Sequence, residues 1–294
     1  MDATTHEPIA ETPPAEVQKT RSPWETALQI KCSARDILGG HSGGLSHRLI
    51  LTLSVILVMT VSVALYAATA CLAMAGGLTF GDAPWVDAAA NTLLVALGLV
   101  LVLPLAVSLG RLASLMTAPD GEVIRGMAVS VPTPDLIQLF YPFTSFRAYG
   151  RTMAVGMEGL GFLLCGLGIP ILSGRLVWLS AVEAGMASWL RALIMVGVVL
   201  LGIGWCFGIL LLSGRRMGFG YFVFVHEELS LGDVNRYYRT LRRPLFPALC
   251  LRVILLGLYA LSAVGICVPF VFHSIPLGLC CRAVYGHALT AHDP

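Results

Sequence analysis

Long apolar stretches constrain this chain more than any other feature. The first runs from Leu49 to Gly76 and contains no charged residue across its 28 positions. A helix needs about 20 apolar residues to cross the hydrocarbon core of a bilayer. Hydrophobic residues make up 56% of the chain and charged residues 12%, whereas about 25% of a soluble domain is charged. The sequence therefore predicts an all-α, polytopic integral membrane protein.

Six such stretches predict one transmembrane helical bundle over residues 47–290. The predicted spans are residues 49–76, 86–110, 151–173, 189–213, 246–264 and 268–289. The last two come from a single apolar block that Gly265 and Pro269 interrupt. Because a proline can also kink one tilted helix, a single crossing over 246–289 stays open as the alternative.

The segment before the first span divides into a tail and a helix. Residues 1–23 are rich in proline and poor in large apolar groups, which predicts a disordered cytoplasmic tail. Its polar character differs from the start of a signal peptide, so we expect the first span to be a lasting anchor.

Residues 24–40 predict an amphipathic helix on the membrane surface. We expect this helix to have an apolar side and a separate basic side. It should end at Gly39–Gly40. The apolar side carries Trp24, Leu28 and Cys32, and the basic side carries Lys31 and Arg35.

Basic residues fall on alternate sides of the predicted spans. They concentrate before span one, between spans two and three, and between spans four and five. Lys and Arg favour the cytoplasmic side of a membrane protein, so both termini are expected in the cytoplasm of a multi-pass cell-membrane protein. Trp85, Trp178 and Trp189 then fall at the outer interface, where indole rings prefer to lie.

A short basic helix is predicted just before span five. Ser230 and Asp233 have the spacing of a helix N-cap, and one apolar face follows at i, i+3, i+4 and i+7. That face is formed by Val234, Tyr237, Tyr238 and Leu241, and the basic residues around it are Arg236, Arg239, Arg242 and Arg243. These arginines are candidate contacts for anionic headgroups of the lipid bilayer. The alternative, which we favour, is that they only keep this loop inside the cell.

Two charged residues are predicted inside spans. Glu158 lies seven residues past Arg151, or about 10 Å inward, and Arg252 lies nine residues past Arg243, or about 13 Å inward. Because a lone charge in hydrocarbon is costly, the matching depths predict an ion pair between Glu158 and Arg252. We favour a structural role in which the pair holds spans three and five together; the alternative is a proton or substrate site.

The remaining candidate residues predict packing more than chemistry. His273 in the last predicted span is a candidate member of the intramembrane polar site, but a hydrogen-bonded packing role is preferred. Gly204 and Gly208 give span four a small-residue stripe for helix packing, either within the chain or in a homo-oligomer.

Recognisable enzyme signatures are missing from the sequence. His226-Glu227-Glu228 lacks the second histidine of a zinc-protease helix, and no Gly-x-Ser-x-Gly motif occurs. The eight cysteines form no Cys-x-x-Cys pair and do not cluster with histidine, so no metal site is predicted. We expect no catalytic residue, no bound cofactor and no nucleic-acid partner.

Several short motifs resemble a family of bacterial integral membrane proteins. They are Tyr221-Phe-Val-Phe-Val-His-Glu-Glu-Leu-Ser-Leu, Leu245-Phe246, Gly265-Ile-Cys-Val-Pro269 and the earlier Leu139-Phe-Tyr-Pro-Phe-Thr-Ser-Phe-Arg-Ala-Tyr149. Together they are similar to the family called domain of unknown function 975. The turn before span five departs from the family pattern, because it reads Arg239-Thr-Leu-Arg-Arg-Pro244. The resemblance implies six spans and the cytoplasmic membrane, and it implies no established activity.

The functional expectation follows from these residues. The favoured hypothesis is a non-enzymatic protein that organises or assists partners at the cytoplasmic face, their identity being open. The alternative is a small permease or export component in which Glu158 and Arg252 line an intramembrane polar site.

Overall fold

The protein is an all-α helical bundle. The computed structural model describes residues 22–42, 45–80, 84–118, 123–124, 127–128, 132–241, 244–265 and 273–290. Most of the predicted tail over 1–23, together with Arg242 and Arg243, therefore lies outside the described residues.

Eleven α-helices follow one another along the described part of the chain. They are α1 Pro23–Gly39, α2 His47–Phe80, α3 Pro84–Leu97, α4 Leu103–Thr117, α5 Phe146–Leu163, α6 Ile169–Glu183, α7 Ser188–Gly214, α8 Phe219–Val225, α9 Leu231–Thr240, α10 Leu245–Gly265 and α11 Ile275–Thr290. A 3₁₀ helix, Leu136–Phe143, precedes α5. Two small antiparallel hairpins pair β1 His41–Ser42 with β2 Leu45–Ser46 and β3 Val123–Ile124 with β4 Met127–Ala128.

Four helical stretches are long and apolar enough to cross a membrane. They are His47–Thr79, Pro84–Thr117, Phe146–Glu183 and Ser188–Val225. The second and third pass through π-helical turns just before Pro104 and Pro170, where a proline without an N–H would otherwise break the hydrogen-bond ladder. These stretches contain the first four predicted spans and support a membrane protein.

The last apolar block is described only in part. Helix α10 covers the predicted fifth span, and its apolar part, Leu245–Tyr259, is shorter than the four long stretches. Residues 266–272 lie outside the described residues, and α11 has 16 residues, fewer than the about 20 that a crossing needs. Most side chains of α11 are buried by protein. The sixth crossing therefore stays a prediction.

One end of the bundle, here called the packed end, holds the hydrophobic core. It combines α1, α8, α9 and α11 with the beginnings of α2, α5 and α10 and the end of α4. At its centre lies α8, whose sequence Phe-Gly-Tyr-Phe-Val-Phe-Val buries nearly all of its side chains. The opposite ends of α2 and α7 are exposed, with Leu78 91% and Trp189 69% exposed.

Two glycines allow α8 to pack closely on α11. Gly218 precedes α8 with a φ of +89°, a conformation that other residues rarely adopt. A Cβ on Gly218 would lie 2.9 Å from the Cα of Gly286, and a Cβ on Gly286 would lie 2.5 Å from the Cβ of Tyr221. Only glycine at both positions leaves room for this crossing.

The two predicted amphipathic helices are present, and both bury one face. In α9 the Ser230 hydroxyl accepts from the Asp233 backbone N–H at 3.1 Å, as predicted. The predicted apolar face of α9 is also confirmed, because Val234, Tyr237, Tyr238 and Leu241 are all buried in the core. In α1 the buried residues are Ala27, Ile30, Ala34 and Leu38, which pack toward α10 and α11.

Candidate functional site

Two fully buried arginines lie at the packed end. Arg111 on α4 and Arg151 on α5 are each 2% exposed. A charged side chain this deep is stable only when its donors meet acceptors. Their partners therefore indicate what this part of the molecule does.

Arg151 binds the backbone at the end of α8. One terminal nitrogen, Nη1, donates to the carbonyls of Val223 at 2.9 Å and His226 at 3.2 Å. The other, Nη2, donates to the carbonyls of Glu227 at 2.7 Å and Leu229. The last carbonyls of a helix have no partner within it and carry partial negative charge. Arg151 thus acts as a side-chain cap for α8 and fixes the turn that follows.

Two more arginines hold the same turn from other sides. Arg147, one helical turn before Arg151, donates from Nη2 to the carbonyls of Glu228 at 3.0 Å and Leu229 at 3.3 Å. Arg111 donates from Nε and Nη2 to Oε1 of Glu227, at 3.0 and 2.7 Å. We call Arg111, Arg147 and Arg151, with the 223–229 segment that they bind, the arginine lock.

The 3₁₀ helix completes the environment of Arg111. Nη1 of Arg111 donates to Oε1 of Gln138, and the guanidinium carbon lies 3.7 Å from the centre of the Tyr141 ring. This distance is typical of a cation–π contact. Burial raises the pKa of the Tyr141 phenol, the nearby Glu227 carboxylate raises it further, and Arg111 opposes the shift. The phenol therefore stays neutral beside the ion pair.

The predicted ion pair between Glu158 and Arg252 is wrong. Glu158 pairs with Arg216, with 2.7 Å between Oε1 and Nε. Arg252 instead donates to the Ser213 hydroxyl and, at 2.7 Å, to the Ser213 carbonyl. Equal depth fixes a position along the helix axes but not around them. The partners of Glu158 and Arg252 are Arg216, in the turn after α7, and Ser213, at the end of α7.

Arg216 connects three helices through its guanidinium. Besides Glu158 on α5, it donates from Nη1 to Oδ1 of Asn235 on α9 at 2.8 Å. Its guanidinium carbon also lies 4.5 Å from the Phe219 ring on α8. The Glu158 and Arg216 side chains are 22% and 29% exposed, so this pair lies at the edge of the core.

The other predicted site residues lie apart from this pair. His273 is exposed just before α11, within electrostatic reach of Arg48, Arg35 and Lys31. The described hydrogen bonds and ion pairs link it to neither Glu158 nor Arg252. The candidate lipid contacts Arg236 and Arg239 are exposed on α9.

The predicted packing role of Gly204 and Gly208 within the chain is wrong. A Cβ on either glycine would meet nothing within 4 Å. The helical period turns these two residues toward an open apolar groove of about 1010 Å³ between α6 and α7. The close contact with α7 occurs instead at Gly166, in the π-helical turn before α6, where a Cβ would lie 3.3 Å from Ile209. A contact with a second copy stays a prediction for Gly204 and Gly208.

The sequence contained a usable sign of the arginine lock. Arg147 and Arg151 are four residues apart, and Glu158 follows seven residues later. These intervals place all three on one side of α5. Sequence reasoning used the arginines only for orientation, and the His226-Glu227-Glu228 turn that they bind was compared only with a zinc motif.

The chemistry available to this site is limited. Among the residues that the structure describes, no group of three or more His, Cys, Asp or Glu side chains could hold a metal ion. The arginine lock uses its donors on carbonyl oxygens, Glu227 and Gln138. The arrangement can fix a turn in place.

No family model matches this chain, and neither the curated proteins nor the solved structures contain a match.

Proposed function

We propose that this protein is a non-enzymatic integral membrane protein that organises or assists partner proteins at the cytoplasmic face of the cell membrane. The observation that carries this proposal is the hydrogen bonding of Arg151 to four backbone carbonyls between residues 223 and 229. A buried cation used in this way stabilises a shape and leaves few donors for a substrate.

The shape that the arginine lock holds is a platform at the packed end. The turn over 226–230 leads directly into α9, and the apolar face of α9 is buried against α8. The outward face of α9 therefore has a fixed orientation, with Gly232, Asp233, Arg236 and Arg239 exposed. A fixed exposed face suits recognition of a partner, because little entropy is lost on binding.

The orientation in the membrane is part of the proposal. The Arg-rich connections between the long helices come together at the packed end, which supports a cytoplasmic location for this end and for both termini. Cys32 is exposed on α1. In a background lacking the other cysteines, we expect an impermeant thiol reagent to label Cys32 only after the membrane is opened.

A photo-crosslinking experiment in cells tests the organising role. A photoreactive amino acid at Gly232 should form a discrete protein adduct, and Arg151→Gln should remove that adduct while the protein remains in the membrane. The matched control is the same amino acid at Trp189, which is 69% exposed at the opposite end and should form no protein adduct.

The alternative is a small permease, supported by Glu158 and its partial exposure inside a long apolar helix. A transport site needs water at this position. A cysteine at position 158, in a background without the eight native cysteines, would be labelled by a water-soluble thiol reagent if such a path existed. Labelling, combined with solute flux that Glu158→Gln abolishes and no adduct at Gly232, would overturn the organising proposal.

A further inference from the structure

Helix α1 has an exposed face, beside its buried face, that carries both apolar and basic side chains. The buried face of α1 is formed by Ala27, Ile30, Ala34 and Leu38. Next to it, Trp24 is 48% exposed and Leu28 is 40% exposed. Large apolar side chains on a helix that is already packed on one side indicate that a further surface covers them.

Basic residues belong to this face, with Arg35 exposed and Lys31 half-buried at its edge. Lys31 and Arg35 follow Trp24 by seven and eleven residues, which is about two and three turns. They therefore lie along the line of Trp24, and the expectation that they occupy another side of the helix is wrong. The acidic residues Glu25 and Asp36 are displaced by about 100° or more around the helix from Trp24.

The corner between α1 and α2 places this face beside the first membrane-crossing helix. The His47 ring is hydrogen-bonded through Nδ1 to the Ile37 carbonyl at 2.8 Å, and the His47 backbone N–H donates to the Gly40 carbonyl at 2.9 Å. Arg48 is exposed in the next position. Because α2 is apolar from Leu49 onward, α1 lies where the helix enters the hydrocarbon.

Four basic groups lie in the region of this corner. Lys31, Arg35 and Arg48 are within electrostatic reach of the exposed His273 imidazole. Among the described residues, Lys31, Arg35 and Arg48 form no ion pair with a carboxylate. Positive charge next to exposed tryptophan and leucine matches the headgroup region of an anionic bilayer.

We propose that the face of α1 formed by Trp24, Leu28, Lys31 and Arg35, together with Arg48, binds anionic phospholipid headgroups. Trp24 and Leu28 enter the headgroup boundary, and the basic side chains contact the lipid phosphates. This differs from the predicted lipid contacts on α9, where the apolar face is buried in protein and cannot anchor in lipid. The proposal needs only a membrane location and does not depend on the organising role.

Fluorescence quenching by brominated lipids tests this site in the full chain. Trp24 is kept as the single tryptophan by changing Trp85, Trp178, Trp189 and Trp205 to Phe. The protein is reconstituted in mixtures of phosphatidylcholine and phosphatidylglycerol, with either lipid brominated. We expect Trp24 to be quenched by both lipids. The relative association constant should favour phosphatidylglycerol severalfold, since one basic residue near an anionic surface contributes about fivefold.

Charge variants separate this site from general attraction. In Lys31→Gln/Arg35→Gln/Arg48→Gln the preference for phosphatidylglycerol should fall to near unity, while Lys31→Arg/Arg35→Lys/Arg48→Lys should keep it. The matched control Arg236→Gln/Arg239→Gln on α9 should also keep it. The preference should weaken in high salt, because exposed charges are screened.

Three results would overturn the proposal. The first is equal quenching by the two lipids in the unaltered basic background. The second is a preference that survives the triple Gln variant. The third is a Trp24 that neither lipid quenches, which would mean that water or a second copy of the chain covers this face.

Discussion

The two ends of this bundle solve the same problem, burial of apolar surface, in different ways. At the packed end, Leu51 and Leu112 are fully covered by other parts of the chain. At the opposite end, Leu78 and Trp189 are 91% and 69% exposed, and the most apolar window of Ser188–Val225 has no buried residue. In a bilayer, lipid covers such side chains without any cost in hydration. The difference shows that apolar side chains can be covered by protein or by lipid, whereas the polar contacts at the packed end require specific partners within the chain.

Buried charge is concentrated at the packed end. Arg111 and Arg151 lie there among carbonyl oxygens and a carboxylate. Such contacts are directional and lose much free energy when one member is removed. Substitutions should therefore have large effects in the polar contacts of the packed end and small effects where side chains are exposed.

The largest effect is expected for Arg151→Met. Four carbonyl groups lose a donor, although Leu229 still accepts from Arg147 and His226 still accepts from the Leu229 backbone N–H. Each unsatisfied buried group costs about 1–3 kcal/mol, so we expect a loss of about 4 kcal/mol in the free energy of unfolding. Unfolding by denaturing detergent measures it. Arg147→Met is the matched control on the same helix face and should cost about 1 kcal/mol, because Arg147 is exposed. Equal losses in the two variants would contradict the assigned role of Arg151.

The next effect is expected for Gly286→Ala. The new Cβ would lie 2.5 Å from the Cβ of Tyr221, so α8 and α11 must separate. Overpacking of this kind costs about 1–3 kcal/mol, measured as a lower midpoint of thermal unfolding in micelles. Gly257→Ala on α10 is the control, since its Cβ would meet nothing within 4 Å. An unchanged midpoint for Gly286→Ala would mean that the two helices do not cross this closely.

A double-mutant cycle distinguishes the partners of Glu158. We expect Glu158→Gln and Arg216→Gln to show a coupling energy of about 1 kcal/mol, as is usual for a partly exposed pair. Glu158→Gln and Arg252→Gln should be additive, because Arg252 contacts Ser213. Coupling with Arg252 in place of Arg216 would restore the pair predicted from sequence depth.

The smallest effect is expected for Gly204→Ala/Gly208→Ala in the open groove between α6 and α7. Neither new methyl group meets another atom within 4 Å, so the free energy of unfolding should change by about 0.5 kcal/mol or less. The same variant should be examined for its oligomeric state in lipid. Loss of a dimer would show that the stripe joins two copies of the chain.

Sequence reasoning succeeded where a property repeats locally. The first four spans fall within the long apolar helices, and the predicted helix over 24–40 is observed as Pro23–Gly39. The buried face of α9 was also predicted, because residues at i, i+3, i+4 and i+7 share a helix face whatever surrounds it. The disordered tail and the sixth span stay predictions.

Sequence reasoning failed where two distant segments meet. The choice of Arg252 for Glu158 used depth alone, and the partner was Arg216 in the turn after α7. Arg111 and Glu227 are 116 residues apart, and no local pattern relates them. The glycine stripe makes no close contact within the chain, because Gly204 and Gly208 face the open groove between α6 and α7, where a Cβ would meet nothing within 4 Å.

The sequence by itself determined that this chain is apolar and helical, and it located the first four long helices, because length and composition decide whether a helix can enter a bilayer. Only the tertiary structure decided which arginines are buried and what they bind. Hydrogen bonds require acceptors within about 3 Å, and the acceptors of Arg151 are backbone carbonyls of a turn that comes more than 70 residues later. Backbone carbonyls are the same at every position in a sequence, so only the folded chain reveals which of them a side chain will meet.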